Sequence, residues 1–151
     1  MIKKLAFIFC IIIINACAYH APVIANDTDD VDDFEVHKLV IQMNKKDPEV
    51  QAEVLTNIVN ISKSYGVDNV KIELVAYGPG IYFVTKESKF RKRIESLMMQ
   101  DVTFTACGDT INTLKKTKGI VLDLIDDVVV VKNGVPRMMD LQQQGYSYLS
   151  P

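Results

Sequence analysis

Hydrophobic positions recur along the chain in two alternating patterns from about residue 37 onward. Short runs rich in β-branched residues are typical of strands, whereas apolar residues spaced three and four positions apart are typical of amphipathic helices. The first pattern predicts strands over residues 37–43, 70–78, 102–107 and 127–134. The second predicts helices over residues 48–65, 88–101, 109–119 and 135–144, with a short extended segment after the last one.

The regular alternation of strand and helix predicts an α/β fold: a single compact domain with a mainly parallel β-sheet and helices on both faces. Ligands and reactive groups in such sheets lie at the carboxyl ends of the strands. The candidate binding residues in the loops at that edge are Asn44, Gly78, Gly80, Gly108, Asp109 and Thr110. The stretch "GPG", residues 78–80, is also explained by a sharp turn, so a purely structural role for its glycines stays open.

Cys107 is the candidate residue with chemistry of its own. It ends a predicted strand and precedes a helix that Asp109 or Thr110 would cap. The free N–H groups of a helix amino end stabilise a thiolate, which is the nucleophilic form of cysteine. Asp109 opposes this effect, because a nearby carboxylate disfavours a second negative charge. The alternative is a structural residue, since free cysteine is among the most buried residue types.

The first residues have the pattern of a secretory signal, predicted over residues 1–18. Two lysines precede a continuous apolar run over residues 5–14, and small residues follow it. The run is shorter than the roughly 20 apolar residues that a membrane-spanning helix needs. The candidate cleavage positions are before Tyr19, before Cys17 and as late as Ala25.

Cys17 leads to a second interpretation of the amino terminus. The stretch "INAC", residues 14–17, resembles a bacterial lipobox, in which Cys17 would be lipidated and become the new amino terminus. A lipid would tether the domain to a membrane without spanning it. Otherwise Cys17 is removed, as Cys10 is, and Cys107 is the one cysteine of the folded domain. In an oxidising compartment it is then a free thiol, an intermolecular bridge or a buried bystander.

Composition and charge bear on the domain organisation and on the classes of function that remain. Six acidic residues between Asp27 and Glu35 predict a flexible acidic linker over residues 19–36, so that the domain proper covers residues 37–151. The chain of 151 residues is 48 % hydrophobic and 24 % charged, which suits one globular domain. A net charge of −2 argues against nucleic-acid binding. Two histidines and a single domain cysteine argue against a zinc site, and we expect neither metal nor cofactor.

Four segments resemble the DsrE/DsrF-like family. They are "KLVIQM", "VKIELVAYGPGI", "VTFTACGDTINTL" and the ending "VVVVKNGVPRMMDLQQQGYSYLSP". The last two are the most specific. One of them has a Cys-Gly pair between an aliphatic strand and a helix. The other has the spacing "G-V-x-R-x-x-x-L-Q-x-x-G-Y-x-Y-x-x-P" of exported members over residues 134–151. The resemblance covers about residues 38–151.

The resemblance implies a compact α/β fold that assembles into homo-oligomers, either trimers or hexamers. Sulfur-relay members of the family carry sulfur as a persulfide on a cysteine at the position matched by Cys107. By that resemblance Cys107 accepts and donates sulfur, and the partners are a sulfur-donor protein and an acceptor protein. The chain departs from the relay members at Lys118-Gly119, where they tend to have an Arg-Gly pair.

Three functions follow from these observations. The first is an exported sulfur carrier, or a thiol-based accessory protein for sulfur handling, that uses Cys107 as its nucleophile. The second is a non-catalytic periplasmic module for binding or assembly, in which Cys107 is structural. The third is a redox-sensing thiol that forms an intermolecular disulfide. Together, the signal and the family resemblance predict a periplasmic location, either soluble or lipid-anchored.

Overall fold

The computed structural model describes residues 36–151. The predicted secretory signal, Cys17 and all but the last residue of the predicted linker lie outside the described residues. The strands are β1 (His37–Met43), β2 (Val70–Ala76), β3 (Thr103–Cys107), β4 (Val129–Val131) and β5 (Ser147–Leu149). The helices are α1 (Pro48–Tyr65), α2 (Arg91–Met98), α3 (Gly108–Lys118) and α4 (Gly134–Gln143), with short 3-10 helices at Val67–Asn69 and Gly78–Val84.

All five strands are parallel and form one sheet in the order β4-β3-β2-β1-β5. Successive strands from β1 to β4 are added in one direction, and α4 then leads back to β5 at the opposite edge. The predicted α/β fold with a parallel sheet is therefore confirmed. Among residues 36–151, no helix is both long enough and apolar enough to cross a membrane.

Helices cover both faces of the sheet, as the sequence predicts. Most of the apolar core lies on one face, which we call the near face, where α1, α2, α3 and the 3-10 helix at Gly78–Val84 pack on the sheet. The opposite, far face is covered by α4, whose Met138 and Leu141 pack on Val40 and Val75. The two faces thus differ greatly in how much apolar surface they bury.

The boundaries of α1 follow from local sequence chemistry. The Asp47 carboxylate accepts a hydrogen bond from the Glu49 N–H at 2.7 Å, and Pro48 occupies the first helical position. At the other end, Gly66 has a φ of 86°. This value lies in the left-handed region, which glycine adopts more readily than other residues.

Several predicted boundaries are wrong. The predicted turn at residues 78–80 is the start of a 3-10 helix, because Pro79 suits a first helical turn and Gly80 lies against β1. Predicted strand 127–134 is limited to β4, since Asp127 has a φ of 67° and α4 begins at Gly134.

Two further differences concern the segment after α4 and the amino end of α3. The predicted extended segment after α4 forms β5, a fifth strand that pairs with β1. The predicted caps of α3, Asp109 and Thr110, are inside the helix, and Cys107 itself is the N-cap residue. The α3 amino end is therefore closer to the thiol than the sequence predicts.

Candidate functional site

The thiol of Cys107 lies at the junction of β3 with two helix amino ends. Cys107 is the last residue of β3 and the N-cap of α3, and its side chain points to the far face. There the Gly134 N–H, the first of α4, donates a hydrogen bond to Cys107 Sγ at 3.3 Å. Cys107 is 6 % exposed, and it is the one free cysteine among residues 36–151.

Opposing effects act on the ionisation of this thiol. Burial by itself raises the pKa of Cys107, because it disfavours the charged form. The Thr110 side chain and the N–H groups of Thr110, Gly134 and Asp109 lower the pKa, because these donors surround the sulfur and favour the thiolate. Their effect outweighs burial, so the pKa of Cys107 lies below the usual thiol value. A lowered pKa increases the thiolate fraction at neutral pH.

Thr110 connects the thiol to the loop after β2. Its hydroxyl accepts a hydrogen bond from the Gly78 N–H at 3.1 Å. Because a hydroxyl can donate one bond while it accepts another, the Thr110 O–H stays available for Cys107 Sγ. Sequence analysis selected Thr110 as a candidate binding residue, and the structure brings it into the hydrogen-bond network of the thiol.

Gly134 is a residue of the site that sequence analysis missed. A Cβ atom at this position would lie 3.3 Å from Cys107 Cβ, 3.3 Å from Val75 Cγ1 and 3.4 Å from Tyr77 Cβ. A side chain here would therefore move α4 away from the sheet by a few tenths of an ångström, unless its neighbours gave way. The absence of a side chain lets the Gly134 N–H approach the sulfur.

An ion pair between the buried Glu73 carboxylate and the partly exposed Arg137 guanidinium anchors α4 to the sheet one turn beyond Gly134. Arg137 donates from Nε to Glu73 Oε1 at 2.9 Å and from Nη2 to Glu73 Oε2 at 2.7 Å. Thr105 Oγ1 donates to Glu73 Oε1 at 2.8 Å. The Glu73 side chain is 6 % exposed. Sequence analysis also missed this set, although a glutamate inside the apolar strand "VKIELVA" signals a buried carboxylate that needs a partner.

The carboxylate of Asp109 lies beside the thiol site. The Asp109 backbone N–H donates to the Lys132 carbonyl at 3.0 Å, which ties α3 to the end of β4. The Asn133 side-chain amide, oriented to satisfy its neighbours, donates to the Asp109 carboxylate and to the Lys132 carbonyl. The expected opposition of Asp109 to a thiolate does not prevent the net lowering of the Cys107 pKa.

A groove of about 570 Å³ lies on the near-face side of the same strand ends. Three predicted binding residues line it, Gly78, Asp109 and Thr110. The Lys46 ammonium lies 5.5 Å from the centroid of the Tyr82 ring in the groove wall. The remaining lining residues, which sequence analysis did not select, are Pro79, Thr113, Leu114, Thr117 and Lys118.

The other predicted binding residues lie outside this groove. A Cβ on Gly80 would lie 2.2 Å from the Met43 carbonyl oxygen, and a Cβ on Gly108 would lie 2.9 Å from the Val131 carbonyl oxygen. Both glycines thus permit close packing of backbone on backbone. The Asn44 side-chain nitrogen donates to the Tyr77 hydroxyl at 3.4 Å, while its oxygen is buried without a hydrogen-bond partner.

The described residues contain no group of three or more His, Cys, Asp or Glu side chains that could hold a metal ion. The polar atoms around Cys107 are backbone N–H groups and a hydroxyl. Such donors stabilise an anion on sulfur.

Comparison with solved structures finds the same fold in two other proteins. A solved protein of unknown function, MTH1491 from Methanobacterium thermoautotrophicum, is 26 % identical over 76 % of this chain and 99 % of its own, with a TM-score of 0.69. A conserved protein of unknown function, BT1422 from Bacteroides thetaiotaomicron, shares the fold at 20 % identity over 76 % of this chain and 94 % of its own, with a TM-score of 0.52. No curated protein matches the chain.

The model of the DsrE/DsrF-like family matches residues 37–151, which include every element of the sheet and the whole thiol site. The match agrees with the resemblance carried by the Cys-Gly pair and the carboxyl-terminal segment. The chain belongs to the DsrE/DsrF-like family.

Proposed function

We propose that this protein is an exported sulfur carrier in which Cys107 holds sulfur as a persulfide. The observation that carries the proposal is the hydrogen bond from the Gly134 N–H to Cys107 Sγ, at the meeting point of two helix amino ends. Family membership supports a role in sulfur relay. The lowered pKa of Cys107 supports a thiolate as the reacting form.

Loading requires one displacement at sulfur. The Cys107 thiolate attacks the terminal sulfur of a donor persulfide, R–S–SH, or of a polysulfide. A bond forms between Cys107 Sγ and that sulfur, the S–S bond of the donor breaks, and the donor leaves as its thiolate. The proton stays on the transferred sulfur or is released from it, and no external oxidant is needed.

Unloading is the reverse displacement on a partner protein. A thiolate of the partner attacks the outer sulfur of the Cys107 persulfide, and Cys107 leaves as a thiolate. A thiol with a lower pKa is a better leaving group. The hydrogen bonds that favour the Cys107 thiolate therefore assist both loading and release.

The remaining parts of the proposal concern location and assembly. The amino-terminal signal pattern supports export to the periplasm, with the domain either soluble or lipid-anchored through Cys17. The proposed assembly is a homo-oligomer, either a trimer or a hexamer, that meets separate donor and acceptor proteins. Fusion of residues 1–36 to a periplasm-dependent reporter tests export, and the mass of the purified protein in solution tests assembly.

Intact-mass measurement tests the carrier function directly. The full chain with Cys10→Ser and Cys17→Ser is incubated with inorganic polysulfide, beside a matched variant that also has Cys107→Ser. We expect additions of whole sulfur atoms on the chain that retains Cys107 and none on the variant without it. Prior alkylation should block the additions. A native chain that neither gains sulfur nor reacts with an alkylating reagent would contradict the proposal.

The second candidate is a non-catalytic binding module. It is favoured by the small exposed fraction of Cys107 and by the groove of about 570 Å³, which has the size of a small-molecule site. If Cys107 proves inert, this candidate becomes the better account. Its signature would be chemical-shift changes at Tyr82 and Thr113 on ligand addition, in wild type and Cys107→Ser alike.

A further inference from the structure

The position of α4 decides whether Cys107 has its hydrogen bond from Gly134. The apolar contacts of α4 with the far face are few, and the buried residues involved are Met138 and Leu141 on the helix and Val40 and Val75 on the sheet. Apolar contacts have no preferred direction, so they do not by themselves fix the register of the helix along the strands. A displacement of α4 by about 0.5 Å would lengthen and weaken the hydrogen bond of 3.3 Å from the Gly134 N–H to Cys107 Sγ.

The ion pair between Arg137 and Glu73, in contrast, has a preferred geometry. The guanidinium binds the carboxylate through two parallel hydrogen bonds of 2.9 Å and 2.7 Å, which fix distance and angle together. Arg137 lies one turn after Gly134, and its backbone N–H donates to the Asn133 carbonyl at 3.2 Å. The amino end of α4 is thus rigidly connected to the guanidinium.

The carboxylate is in turn fixed to the strand that bears the thiol. Thr105 donates to Glu73 Oε1 at 2.8 Å and is two residues before Cys107, on the same face of β3. Glu73 and Val75 are likewise two residues apart on β2, and Val75 pairs with Thr105. A closed path therefore runs from Cys107 through Thr105, Glu73 and Arg137 back to the Gly134 N–H.

Stability alone gives no reason for a carboxylate at this buried place. Removing the Glu73 charge from water is costly even though the Arg137 side chain stays 36 % exposed, and apolar residues in place of such a pair are often equally stabilising or better. The Glu73 side chain is 6 % exposed, so its desolvation is nearly complete. The ion pair fixes the orientation of α4 relative to the sheet, which an apolar contact does not.

We propose that Arg137 is a positioning residue that acts through Glu73 to hold the amino end of α4, and with it the Gly134 N–H, against the sulfur of Cys107. The inference rests on the proposed function, because this positioning matters for sulfur transfer only if Cys107 is the sulfur carrier. Arg137 itself makes no contact with the thiol; its effect reaches the sulfur through the helix backbone.

The experiment measures the alkylation rate of Cys107 against pH in the full chain with Cys10→Ser and Cys17→Ser. Arg137→Met should slow alkylation about fivefold at pH values below the thiol pKa, because the hydrogen bond to the thiolate is weakened. Arg137→Lys keeps the charge but lacks the two-pronged geometry, so only partial rescue is expected. The matched control is Arg91→Met, which breaks the exposed Arg91–Glu95 pair of 2.7 Å on α2 and should leave the rate unchanged.

A double variant separates positioning from stability. Glu73→Met with Arg137→Met leaves no unpaired buried charge, so it should fold even if Arg137→Met alone does not. We expect the double variant to fold, with a modestly lower unfolding temperature because the buried Thr105 hydroxyl loses its acceptor, and still to react about fivefold more slowly than wild type. A wild-type pH profile in this variant would overturn the proposal and leave the pair a structural role only.

The persulfide measurement distinguishes the two proposals. If polysulfide leaves the wild-type mass unchanged while the alkylation profile depends on Arg137, the carrier function fails and the positioning stands. If Cys107 takes up sulfur while the profile is independent of Arg137, the positioning fails and the carrier function stands.

Discussion

The two faces of the sheet are built on different physical principles. The near face buries large apolar side chains completely, among them Phe83, Phe104 and Ile58. The far face has one helix, a small apolar cluster and, beside the thiol, a partly buried ion pair. The near face therefore supplies most of the folding free energy, and the far face supplies the orientation of polar groups around Cys107.

The largest expected effect separates the two faces by stability. Phe104 is fully buried on the near face of β3. Phe104→Ala removes most of that side chain and should lower the free energy of unfolding by about 3–5 kcal/mol. Met138→Ala on the far face should cost only about 2 kcal/mol, because fewer neighbours surround it. Denaturant titration of both variants measures the difference, and equal losses would mean that the faces contribute alike.

A smaller effect concerns the close approach of α4 to the thiol. Gly134→Ala adds a Cβ at 3.3 Å from Cys107 Cβ and from Val75 Cγ1. We expect about 1–2 kcal/mol of lost stability and slower alkylation of Cys107 below its pKa, because the N–H moves away from the sulfur. Val135→Ala, one residue further on and half exposed, is the matched control. An unchanged alkylation profile in Gly134→Ala would mean that this hydrogen bond does not control the thiol.

The smallest effect is the dependence of stability on pH. The pKa of Cys107 is lower in the folded chain than its usual value, so the thiolate is favoured by folding. The stabilising contribution is complete above the usual thiol pKa and is lost as pH falls through the lower, folded value. The difference in unfolding free energy between wild type and Cys107→Ser should therefore grow in favour of wild type as pH rises through that window. A difference that is constant or shrinks with pH would show that folding does not favour the thiolate.

The two faces also differ in how many of their features the sequence predicts. Strand β1 and helix α1 were predicted with their observed ends, because Asp47, Pro48 and Gly66 mark those ends locally. The strand-end position of Cys107 follows from the same kind of local pattern. The sequence stretch before α3 also indicated a helix amino end near the thiol, though one residue too late.

The far-face contacts could not be predicted in this way. Gly134 meets Cys107 across 27 positions in the chain, and Arg137 meets Glu73 across 64. Periodicity assigns residues to elements but does not pair residues on elements that are far apart. The sequence also does not predict that β4 is short. The run of valines continues the strand pattern, whereas the backbone at Asp127 leaves the extended conformation with a φ of 67°.

The return of the chain from β4 to β5 has a consequence for how the molecule matures. β5 pairs with β1, the first strand of the described residues, so this edge of the sheet closes only after residues 134–151 are available. Contacts between such distant segments form late in folding, because the entropy of the intervening chain opposes them. The same residues 134–151 bring α4 over Cys107. A chain from which residues 134–151 are missing thus has an uncovered cysteine, and the docking of these residues is the event that covers the thiol.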